Sequence, residues 1–147
     1  TTLANDKGAA QALAMIEDRP LTGVGFGKTG YYSRPYETAA LGHEPLFSSH
    51  AHNNYLDVLA ASGVIGFVCF LAWWFVLGLY GWRSFRDSPA GERWLPAGCL
   101  AGLVAFHING FTQVNFFDAK SQHSLMLWAG VVLALEWRRR ARNAADY

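Results

Sequence analysis

Residues 50–54 read HAHNN, two imidazoles and two carboxamides within five positions. An imidazole titrates near neutrality and can take a proton from a hydroxyl, so His52 is a candidate general base. The spacing His50-x-His52 also suits a metal pair, but no third ligand lies at motif spacing. Asn53 or Asn54 can cap a helix beginning there, and Asp57 in its first turn would complement the helix dipole. His52 would then sit at the positive end of that dipole. This disfavours an added proton and favours the neutral imidazole that a base requires. The same helix end would offer free N–H groups to an anion. The bland alternatives are an exposed loop position for His50 and a merely interfacial one for His52.

Other chemistry-bearing residues are weaker. GVGFG at 23–27 invites a phosphate-loop reading, but it lacks a preceding strand pattern and the wider glycine spacing, so it reads as a glycine-shaped turn. Arg19, Lys28 and Arg34 read as solvated loop charges. Cys69 and Cys99 fall in apolar runs and offer neither an outer-face disulfide nor a metal motif.

The elements that must position these residues are greasy. Of 147 residues, 15% are aromatic and only 16% charged, and the net charge of +1 argues against nucleic acid as a partner. GVIGFVCFLAWWFVLGLYGW at 63–82 contains no charged residue and no histidine. About 20 such residues let a helix cross a bilayer core. Two further runs, in 94–114 and 121–137, read as a second and third span. His107 and Asn109 inside the second serve interhelical bonding or line a groove.

Charge orients these spans. Arg83, Arg86 and Arg93 lie in the link 83–93, and Arg138, Arg139, Arg140 and Arg142 in the tail, so seven of the 12 basic residues share one side. The positive-inside rule makes that side cytoplasmic and places HAHNN and the connection near 112–122 on the outer face. Trp82, Trp94 and Trp137 at the span ends suit an aromatic belt.

Before the spans, AAQALAMIED at 9–18 has apolar residues at helical spacing and predicts a short amphipathic helix, bounded by Pro20. The fold expected is an all-α polytopic membrane protein. Residues 1–62 form an extracytoplasmic region and 63–147 carry about three transmembrane helices, a cytoplasmic loop and a basic cytoplasmic tail. The chain opens on Thr with no basic segment or cleavage site, and reads as the C-terminal part of a longer membrane protein.

His52-Asn53, nine residues, then Gly63-x-x-Gly66 resembles the signature of the bacterial O-antigen ligase and O-antigen polymerase superfamily. PLTGVGFG at 20–27 is similar to that family's glycine-rich turn upstream of the histidine. The resemblance covers about residues 15 to 85. It implies transfer of a glycan from an undecaprenyl diphosphate carrier to a sugar hydroxyl of a lipid-anchored acceptor. The site would lie at the outer, periplasmic face of the inner membrane, without metal or other cofactor.

His52 would be the catalytic residue, Asn53 a matching substrate-side position with Arg19, Lys28 and Arg34 as candidate diphosphate ligands. Gly63 and Gly66 match the helix-packing positions, where with Ala60 they form a small-residue stripe that another span can approach. Members of the superfamily have more spans and an arginine well ahead of the Pro-Leu-x-Gly turn. Here Lys7 is the only basic residue before Arg19, and the resemblance implies that this segment alone is inactive. The same features leave two alternatives, a polymerase of glycan repeats and a membrane solute transporter.

Overall fold

The computed structural model describes residues 7–26, 51–116 and 118–145. Among these the chain is all helical: α1 (Lys7–Asp18), α2 (Asn54–Asp87), a short 3-10 turn (Ala90–Glu92), α3 (Trp94–Asn109) and α4 (Ala119–Ala145). The described residues fall into two compact units. The first runs up to Phe70 and adds Asn109–Asp118; the second comprises Leu71–Ile108 and the residues from Ala119 onward.

In the first unit, α1 is the amphipathic helix its spacing predicts. Its apolar face supplies Ala12 and Met15 to a small core with Val24, Ala51 and Ala60, flanked by Ile16 and Leu56. The Arg19 N–H closes on the Met15 carbonyl, and Pro20 prevents the helix from continuing.

The long apolar helix is broken. Gly63 has φ 63° and ψ −171°, a region essentially reserved for glycine, inside α2. A regular helix would join Val64 to Ala60 and Ile65 to Ala61. Instead the carbonyls of Ala60 and Ala61 accept from the N–H groups of Val24 and Gly25, at 2.9 Å each. The N–H groups of Val64 and Ile65 donate to the carbonyls of Pro20 and Leu21, at 2.8 and 3.4 Å. Two helical bonds are exchanged for four bonds to the glycine turn. The break therefore leaves none of these four helix groups unsatisfied, as a buried backbone requires.

In the second unit, Trp74 of α2 packs against Phe106, His107 and Trp128, with ring centroids 5.1, 5.8 and 5.9 Å away. Trp128 also donates its indole N–H to the Cys99 carbonyl at 2.9 Å, tying α4 to α3. At the other end of the unit, the buried Glu136 carboxylate accepts two bonds from Arg139 and one from Arg140. Arg139 reaches on to Asp87 at 3.0 Å, and Arg138 pairs with Glu92 at 3.2 Å. The arginines of the tail are thus held by carboxylates at the end of α2, on the 3-10 turn and on α4 itself.

Helix α2 is long and apolar enough to cross a membrane, and Val64, Ile65, Val68, Trp73, Phe75 and Trp82 on it are exposed. Among the described residues it alone meets that measure; α3 is a shorter apolar helix of 16 residues. That length gives about 24 Å, short of the roughly 30 Å bilayer core. The run expected to continue to 114 stops at Asn109, whose carbonyl accepts from Thr112 and Gln113 in a turn. Helix α4 extends beyond the expected 137 to Ala145, since arginine and alanine are good helix formers.

Candidate functional site

The start of α2 is fixed on several sides. Asn53 caps it: its side-chain oxygen accepts from the N–H groups of Tyr55 and Leu56, at 2.9 and 3.1 Å. Its amide nitrogen donates to the Phe111 carbonyl at 3.3 Å. Asp57 lies in the first turn, where its charge complements the dipole. The Asn54 N–H donates to the Gly110 carbonyl at 2.8 Å. With Asn54, Tyr55 and Leu56 all paired, these first-turn N–H groups are not free for a diphosphate, which corrects the expectation drawn from the sequence.

His52 directly precedes this cap. It is exposed, and its φ of 44° is the only positive value at a non-glycine residue among those described. A left-handed backbone at such a residue costs on the order of 1–3 kcal/mol and persists where its surroundings impose it. Here Ala51 on one side is buried in the core of the unit and Asn53 on the other is engaged in the cap. His52 is exposed between two neighbours that cannot easily turn.

Asn54 was missed as a site residue. It is 1% exposed, and its side chain binds the segment that follows α3. Its oxygen accepts from the N–H groups of Asn115 and Phe116, at 2.9 and 3.0 Å, and its nitrogen donates to the Asn115 side-chain oxygen. The Phe116 ring then packs edge-on against Phe70 and Phe26, and Phe111 packs against Tyr55. Nothing local in the sequence links residues 61 positions apart; the only available signal was a second Asn in a cap that needs one.

The two glycines of the signature find their close neighbours within the chain. A Cβ at Gly63 would lie 2.3 Å from the Leu21 carbonyl group, and one at Gly23, whose φ is 66°, 2.4 Å from that of Ala61. The glycine turn and the broken helix thus touch backbone to backbone. A Cβ at Gly66 would lie 2.3 Å from that of Ser62, which the break brings over it. Gly63-x-x-Gly66 in this unit is the pattern of a break and the room the break requires.

Arg19 lies at the end of α1, with its side chain half exposed and 3.8 Å from the equally exposed Asp18 carboxylate, so its charge is available to an anion. His50, Lys28 and Arg34 lie outside the described residues.

The family model of O-antigen ligase matches residues 9–71, from α1 through the glycine turn and across the break in α2. Over this segment the chain is similar to the O-antigen ligase family. The likeness to that family and the one long apolar helix both suggest a membrane protein. No curated protein and no solved structure matches the chain.

Proposed function

We propose that the chain forms part of an enzyme moving a glycan from an undecaprenyl diphosphate carrier to a sugar hydroxyl of a lipid-anchored acceptor. The reaction takes place at the outer face of a bacterial inner membrane. The observation that carries the reading is an exposed His52, in a strained backbone conformation between a buried residue and a cap, inside the segment of O-antigen ligase type.

In the transfer, His52 takes the proton of the acceptor hydroxyl as its oxygen attacks the anomeric carbon of the donor sugar. The bond from that carbon to the diphosphate oxygen breaks, and undecaprenyl diphosphate leaves with the electron pair. A diphosphate departs as a stable anion, so one base suffices; such a group contributes typically 10²–10⁴-fold. Arg19 is a cation available to the diphosphate, and Lys28 and Arg34 are further candidates. In the polymerase version of this chemistry, the acceptor hydroxyl belongs to a second carrier-linked glycan.

The test is reconstitution of the full-length protein in liposomes with an undecaprenyl diphosphate-linked glycan and a lipid-anchored sugar acceptor. Transfer to the acceptor supports the reading, and extension of the carrier-linked glycan alone would assign a polymerase. Solute flux without either product would overturn both in favour of transport.

A further inference from the structure

We infer that Asn115, acting with Asn54, is a positioning residue for His52, an inference that rests on the role of His52 as the base. Two backbone N–H groups, from Asn115 and Phe116, point at one side-chain atom of Asn54, so that atom is the oxygen. The other atom is then the amide nitrogen and must donate; it meets the side chain of Asn115, whose contacting atom must therefore be an acceptor. Asn54 is 1% exposed, so no water can replace a lost partner.

This pairing holds residues 109–116 against the start of α2. The same segment presents the Gly110 carbonyl to the Asn54 N–H and the Phe111 carbonyl to the Asn53 side chain. The two residues that follow His52 are thus each bound to it. Without the clasp, only the buried Ala51 and the cap would hold the left-handed backbone at His52, and relaxation toward an ordinary conformation would swing the imidazole away from the acceptor hydroxyl. Misplacement of a reacting group by about 1 Å can cost on the order of 10²-fold in rate.

The experiment uses the full-length protein in lipid bilayers, with single-turnover transfer from an undecaprenyl diphosphate-linked glycan measured beside binding of that donor. Rates are taken per donor-binding site, so a smaller folded fraction does not register. Asn115→Ala should transfer on the order of 10²-fold more slowly with donor affinity unchanged. Asn115→Asp keeps the accepting oxygen and should restore the rate. Parent-rate transfer by Asn115→Ala, or a loss that Asn115→Asp shares in full, would overturn the assignment. His52→Ala, run alongside, separates the two ideas. If His52→Ala transfers at the parent rate, the base reading fails and positioning with it; if only Asn115→Ala does, positioning alone fails.

Discussion

At Gly63 a single hydrogen atom in place of a side chain lets the chain do two incompatible-looking things. It breaks a helix in an apolar stretch and satisfies the broken ends with the glycine turn. A methyl group there meets the Leu21 backbone at 2.3 Å and imposes a side chain on φ 63°, so neither contact nor conformation survives. Losing the four clasp bonds at about 1 kcal/mol each, with the added strain, predicts that Gly63→Ala is destabilised by roughly 4 kcal/mol or more. Hydrogen exchange is the sharper readout: protection should vanish at Val24, Gly25, Val64 and Ile65 while the amides of α4 keep theirs. Retained protection at all four would mean that the clasp tolerates a side chain.

The elements were unevenly legible. Helix α1, its end at Pro20, a cap from the Asn53-Asn54 pair and the acidic first turn follow from local chemistry; the structure has each of them and gives the cap to Asn53. The break at Gly63 was hidden because hydropathy is continuous across it and no charged residue lies between Asp57 and Arg83. The Asn54–Asn115 clasp and the Glu136 cluster join residues far apart in the chain, which periodicity does not report. That cluster carries its own prediction. The hydrogen bond from Arg86 holds the Asp87 carboxyl below its usual range, and the bond from Arg139 adds to it against the opposing effect of burial. A depressed carboxyl stabilises the folded state above its unfolded value of 3.8 and loses that contribution as pH falls through the lower folded value. Thermal midpoints followed downward from about pH 5 should fall less steeply in Asp87→Asn than in the parent. Identical acid sensitivity would show that Asp87 contributes nothing.

For the whole molecule, the central structural proposal is sidedness. On that proposal the clustered arginines would put the 3-10 turn in the cytoplasm, and residues 109–116, which bind the capped start of α2, at the outer face. Gly91 is exposed and a Cβ there meets nothing within 4 Å, so Gly91→Cys is a clean probe for one side. Gln113, exposed in the segment that follows α3, serves for the other. In a cysteine-free background, an impermeant reagent added outside should label Gln113→Cys and leave Gly91→Cys untouched until the membrane is opened. The reverse pattern would put His52 in the cytoplasm, away from any outer-face acceptor.

The claim that His52 is the base is tested most directly by one comparison in the full-length protein. Transfer of a glycan from undecaprenyl diphosphate to the lipid-anchored acceptor is measured for the parent and for His52→Ala, with donor binding measured on the same preparations. Loss of a positioned base predicts a fall of about 10²–10⁴-fold in transfer. Donor affinity should be unchanged, because the cations proposed for the diphosphate remain. Transfer by His52→Ala at the parent rate would contradict the account.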